Sequence, residues 1–145
     1  DAGVGTYYTT VAAPPSFYPK AAQFIEDYQA KFGEDPQPFA AQAYDSTGIV
    51  LNAILQAAQE ADGQVPTREA VASAVRATQE YDGITGTYSF DANGDPVLAT
   101  YVILQVQSSD PAAWGTNEVL DQFQAPSPLS AAMQAEATPE ATPGS

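Results

Sequence analysis

The stretch from Tyr81 to Val106 constrains the fold more than any other part of this sequence. β-Branched and aromatic residues lie on both sides of Asn93-Gly94, and an Asn-Gly pair supplies the positive φ angles of a tight hairpin turn. Strands are therefore expected near 84–90 and 97–106. One other β-rich segment, residues 3–12, stands far upstream and stops at Pro14-Pro15. A sheet built from these three strands would be thin for the helical layers between them.

Those layers are written in three periodic segments. From Phe17 to Phe32 the residues Phe17, Ala21, Phe24, Ile25, Tyr28 and Phe32 recur at three and four, the mark of one amphipathic face, and Gly33 stands where a C-terminal cap belongs. After the turn Glu34–Pro38, an Ala-rich helix is expected from about Phe39 to Ala61. Its apolar residues spread over a broad arc, which predicts packing on more than one side. Asp62-Gly63 ends it. Thr67 is a good N-cap for a third helix over 68–79. Trp114, Val119, Leu120 and Phe123 read as a short helix or an irregular strap. From residue 124 the Ala, Pro, Ser, Thr and Glu text predicts an extended tail, dividing the chain into 1–123 and 124–145.

Composition removes whole classes of function. Four Lys+Arg against eighteen Asp+Glu give a net charge of −14, a field that disfavours nucleic acid and anionic lipid surfaces. With no Cys and no His, thiolate nucleophiles, the usual zinc sites and the easiest neutral-pH base are missing. No apolar run approaches the roughly 18 residues of a membrane span, and no basic-then-apolar leader opens the chain. Ser16, Ser46 and Ser89 have no evident base, and Glu26-Asp27 point to different sides of a helix, so no catalytic residue is expected. Gly3-Val-Gly5 lacks the third Gly and the following helix of a dinucleotide fingerprint. Asp91-Ala-Asn93-Gly-Asp95 imitates the front of a calcium loop, but the required twelfth-position acid falls on Val102, so the segment is read as a turn and no metal or cofactor is expected.

Three pieces, in order, carry a family resemblance. The first helix ends Tyr28-Gln-Ala-Lys-Phe-Gly33; Ala43-Tyr44-Asp45 opens the long helix with Leu51-Asn-Ala-Ile-Leu55; Gly83-Ile-Thr-Gly86, Phe90-Asp91-Ala-Asn93-Gly-Asp95 and Tyr101-Val-Ile103 close the pattern. From about residue 7 to 107 this order and spacing resemble the type I periplasmic solute-binding proteins, specifically the branched-chain amino-acid (Leu/Ile/Val) receptors of ABC transporters. The resemblance covers only their C-terminal portion. It implies an α/β segment of a two-lobed clamshell, here ending in a β-hairpin and an extended tail, with ligand held between the lobes. An N-terminal portion of the same protein, ABC transporter membrane subunits and a small-molecule ligand, an amino acid or small amide, are the implied partners. The implied location is periplasmic or at the cell surface.

By the same resemblance Tyr44 matches a position near the start of the helix where an aromatic can line the pocket. A small apolar ligand needs an aromatic wall and a few fixed polar groups. Asp45 could meet a ligand ammonium, or it could favour the positive end of its helix. Tyr18 falls in the Pro14–Tyr18 segment where the resembling fold crosses between lobes, facing the cleft or anchoring a loop. Ligand-binding candidates are thus Tyr44, Asp45 and Tyr18. Non-enzymatic solute capture is the expected function, with a sensory ligand-binding domain or a structural, surface-assembly protein reusing the fold as alternatives.

Overall fold

The computed structural model describes residues 3–137. Five strands and four α-helices follow in the order β1 Tyr7–Thr10, α1 Ala22–Phe32, α2 Ala40–Glu60, α3 Arg68–Arg76, β2 Tyr81–Asp82, β3 Thr87–Tyr88, β4 Leu98–Gln105, β5 Glu118–Pro126 and α4 Pro128–Ala137. An antiparallel sheet in the order β1-β4-β5 forms one layer, and β2-β3 is a separate short hairpin.

The expected helix over 17–32 starts five residues later. Pro19 disfavours the helical region for Tyr18, which is extended (φ −95°, ψ 112°), so two short 3-10 turns, Pro15–Phe17 and Pro19–Ala21, lead into α1. Its end matches expectation: Gly33 is left-handed (φ 74°) and its N–H donates to the Gln29 carbonyl. The third helix likewise starts on Thr67, whose hydroxyl accepts from the Ala70 N–H, but it stops at Arg76.

The hairpin expected across Asn93-Gly94 forms its turn and two cross-strand hydrogen bonds, Asp91 N–H to the Asp95 carbonyl and Val97 N–H to the Ser89 carbonyl, but its long strands do not pair with each other. Only Gly94 has positive φ (87°); Asn93 does not. The turn closes through Gly94 N–H to the Asp91 carbonyl, and the Asp91 carboxylate accepts from the N–H groups of Asn93 and Asp95. Beyond a single Phe90–Pro96 bridge the pairing does not propagate. Phe90 and Pro96 form a non-hydrogen-bonded pair flanked by those two cross-strand bonds, so the missing Pro96 N–H costs this ladder nothing, and β3 pairs with β2 instead. β4 instead lies between β1, with Tyr8 opposite Leu104, and β5, with Tyr101 opposite Phe123. Those two rings stack at 5.3 Å, a cross-strand aromatic pair.

The boundary expected at 124 falls inside β5, and the segment after it is helical to Ala137. Ser127 accounts for this. Its hydroxyl accepts from Ser130 N–H, caps α4 ahead of Pro128, and donates to Asp91 Oδ2 at 2.7 Å. The remaining tail residues, 138–145, lie outside the described residues.

Ala13, Val102 and Leu104 form the core under the sheet, with Tyr8, Phe17, Tyr18 and Val119 packed around them. α2 buries Ala41, Asp45, Ile49, Ala53 and Ala57, a four-residue repeat along one face, and packs against α3 through this side. Its larger apolar residues point the other way: Tyr44, Leu51 and Leu55 are 54%, 60% and 59% exposed. The apolar residues do spread over a broad arc, but the expected packing on more than one side is met only at Tyr44, which touches Phe24 of α1, while Leu51 and Leu55 stay exposed.

Candidate functional site

A cleft of about 470 Å³ opens where the end of β1, the start of α2, the β2–β3 hairpin and the first residues of β4 converge. Its lining includes Val11, Tyr18, Phe39, Gln42, Ser46, Thr85, Tyr88 and Leu98, and contains no Lys, Arg, Asp or Glu. The wall is uncharged and mixed, with Thr87, Thr100 and Gln124 adding polar groups beside the apolar surface, and neutral polar groups next to aromatic surface suit a small-molecule site.

The polar groups at the head of α2 are held by the fold. The Tyr18 hydroxyl accepts from the Ala13 N–H at 3.2 Å and from the Gln42 amide nitrogen at 3.0 Å. The same nitrogen lies 3.4 Å from the Val11 carbonyl oxygen, an obligate acceptor, which fixes the orientation of the amide. Gln42 and Ser46 share a helix face, being one turn apart, and the Ser46 hydroxyl donates back to the Gln42 carbonyl at 2.8 Å. Burial, before any neighbour, raises the Tyr18 pKa above the ordinary value of 10.0; Tyr88 and Asp45 add to it, while the Ala13 N–H and Gln42 oppose it. The Tyr88 hydroxyl is also pushed up, again chiefly by burial.

Asp45 lies beneath this surface rather than on it. It is 2% exposed, and its carboxylate accepts from Ile84 N–H and Thr85 N–H, both at 2.8 Å, and from the Thr85 hydroxyl. Gly83 makes room: a Cβ there would stand 2.5 Å from Asp45 Oδ2. The carboxylate therefore ties α2 to the turn that carries Thr85 and Tyr88 into the cleft. Because both its oxygens are engaged inside the fold, Asp45 is placed as a support and not as a surface group.

Tyr44 is placed elsewhere too. Two residues on from Gln42 it is turned roughly 200° around the helix, and its ring sits 5.2 Å from that of Phe24. There it lines a separate, mostly apolar groove of about 510 Å³ with Tyr28, Phe32, Leu51 and Tyr81. Of the three candidates read from the sequence, Tyr18 alone lines the cleft at the head of α2.

Phe39 was not singled out by sequence reasoning. It occupies the N-cap position of α2 with φ 68°, a conformation costly for a bulky residue, and is 55% exposed at the cleft mouth. The signal was an aromatic placed between Pro38 and an Ala-rich helix. Gln42, Ser46, Thr85 and Tyr88 carried no such signal, since common polar residues become notable only when the fold brings them together.

A sequence description of the periplasmic binding protein family matches residues 1–111. No curated protein sequence matches the chain. Among solved structures it is similar to the leucine-binding protein LivK of Thermotoga maritima MSB8, at 28% identity and a TM-score of 0.64, over 85% of this chain and 32% of that one. It is similar also to LivJ, a branched-chain amino-acid transporter substrate-binding protein of Streptococcus pneumoniae in complex with isoleucine, at 27% identity and a TM-score of 0.57, over 83% and 30% of the two chains. A solute-binding protein from R. palustris in complex with benzoate shares the fold at 20% identity and a TM-score of 0.60, over 83% and 30%. The chain thus spans about a third of the length of the solved proteins it matches. With the family pattern running through α1, α2, α3 and β4, and the fold shared with these solute-binding proteins, the chain belongs to the periplasmic binding protein family.

Proposed function

We propose that this chain supplies one wall of the ligand cleft in an extracytoplasmic solute-binding component of an ABC importer. The observation that carries the reading is the uncharged cleft at the head of α2, with Phe39 and Tyr18 as aromatic walls and Gln42 and Ser46 as fixed polar groups. The similarity to a leucine-binding protein and to an isoleucine complex supports a branched-chain or related amino acid as the ligand, and a small amide is the second ligand class of this reading. Membrane subunits of the transporter are the partners that follow from this reading, and closure of two lobes on the solute is its mechanism, driven by tighter binding in the closed state. The role is capture without chemistry. Asp45 serves it indirectly by fixing the Thr85–Tyr88 wall, and Tyr44 by packing α2 against α1.

Isothermal titration of the full-length polypeptide with leucine, isoleucine, valine and isovaleramide tests the proposal. One of them should bind with one-to-one stoichiometry and raise the melting temperature by mass action. Absence of heat and of thermal shift with every one of them, together with self-assembly in solution, would refute it in favour of a structural role.

A further inference from the structure

The hydrogen-bond inventory of Tyr18 is lopsided in a way that selects what the cleft can hold. A phenol offers two lone pairs and one O–H. Both lone pairs are taken, one by the Ala13 N–H and one by the Gln42 amide nitrogen, and no acceptor for the O–H is present among the described residues. The hydroxyl can therefore act toward the cleft only as a donor. The orientation of Gln42 that enforces this is fixed from the far side by the Val11 carbonyl, so Gln42 cannot flip to accept from Tyr18 without setting its oxygen against that carbonyl.

Charge sets the kind of acceptor. The wall has no cationic side chain, the Asp45 carboxylate lies under it, and the chain as a whole carries −14. An anionic oxygen brought here would meet a negative field with only neutral donors to balance it. A carbonyl oxygen would not. From this juxtaposition we infer that Tyr18 is a specificity-determining donor that admits a neutral carbonyl oxygen, flanked by apolar surface, and discriminates against a carboxylate at the same place. The inference rests on the solute-cleft reading above and deepens it by selecting the small amide over the free amino acid, whose only carbonyl oxygens are anionic.

Two probes with one carbon skeleton separate these acceptors: isovaleramide and isovalerate, titrated into the full-length protein with binding followed at the amide signals of Phe39–Ser46. Isovaleramide should bind at least about tenfold more tightly, a difference of about 1.4 kcal/mol. Tyr18→Phe should remove that advantage and leave isovalerate where it was. Since Tyr18→Phe also strips an acceptor from the Ala13 N–H and Gln42, a second change keeps the hydroxyl: 3-fluorotyrosine at position 18 makes it a stronger donor and should tighten isovaleramide binding. Weaker amide binding with fluorotyrosine, or an isovalerate affinity equal to or above that of the amide, overturns the inference while leaving the cleft a solute site. Failure of every probe, leucine included, to move those signals overturns the solute reading itself.

Discussion

Removing the Asp45 carboxylate is the sharpest perturbation that the structure offers. Asp45→Ala would leave the N–H groups of Ile84 and Thr85 and the Thr85 hydroxyl without their partner at a 2%-exposed position. A buried donor left unsatisfied costs about 1–3 kcal/mol. Two backbone donors and one hydroxyl, with water reaching part of the vacated space, give about 3–5 kcal/mol. That is a large share of the 5–15 kcal/mol by which domains are stable, and at roughly 3–4 °C per kcal/mol it lowers the melting temperature by about 10–20 °C. Asp45→Asn keeps the shape and one acceptor, but it sets an amide NH2 against a donor, so about 2 kcal/mol is expected. Denaturant titration supplies the total, and amide exchange at Ile84 and Thr85 locates it. A loss below about 1 kcal/mol in Asp45→Ala, or unchanged exchange at those two amides, would refute the argument that this carboxylate ties α2 to the β2–β3 turn.

Gly48 is limited by space: a Cβ there would stand 2.0 Å from the Tyr81 hydroxyl oxygen and 3.1 Å from its ring carbon. Gly48→Ala should therefore push the Tyr81 ring aside and forfeit the roughly 1 kcal/mol that alanine otherwise gains over glycine inside a helix, and Tyr81→Phe in the same chain should recover part of that loss in a double-mutant cycle. Ser127→Ala removes the α4 cap, at about 1 kcal/mol. Asp91, held below its ordinary value of 3.8 first by the Ser127 hydroxyl, should titrate higher in the same variant, as an NMR pH titration would read. Alkali acts through the cleft tyrosines. Tyr18 and Tyr88 have raised folded values, so their contribution is complete below the ordinary 10.0 and lost as pH rises through those values. Melting temperatures should accordingly fall only above about pH 10, with the fall reduced in Tyr88→Phe.

The local signals in this sequence were legible and the long-range ones were not. Gly33 and Thr67 act within their own helices, and both end up as the caps their residue types imply. The Asn93-Gly94 signal gave the turn but misread which long strands pair, because a turn signal cannot say where the ladder stops or that β4 has β1 and β5 on its flanks. α4 could have been read from Ser127-Pro128, a cap followed by a first-turn proline, but the low-complexity text around it masked the pair. The role of Asp45 depended on partners 39 and 40 residues away. Tyr44 and Asp45 are neighbours in sequence yet serve different faces of one helix, about 100° apart, so a motif that names both says nothing about which of them meets a ligand.

The inverted burial of α2 bears on how any measurement on this chain should be scaled. Its covered face is mostly alanine, while Tyr44, Val50, Leu51, Ile54 and Leu55 are 40–60% exposed. Fully burying one such side chain is worth about 1.5–3 kcal/mol, so covering what remains exposed on these five adds on the order of 4–8 kcal/mol, comparable to the net stability of an ordinary domain. The fold's resistance to heat is then a property of context: truncating Leu51 or Leu55 should be nearly silent in the 145-residue chain and strongly felt in a longer polypeptide that covers the stripe. The alanine face sets how closely α2 approaches α3, and the outer stripe sets how firmly α2 is kept there.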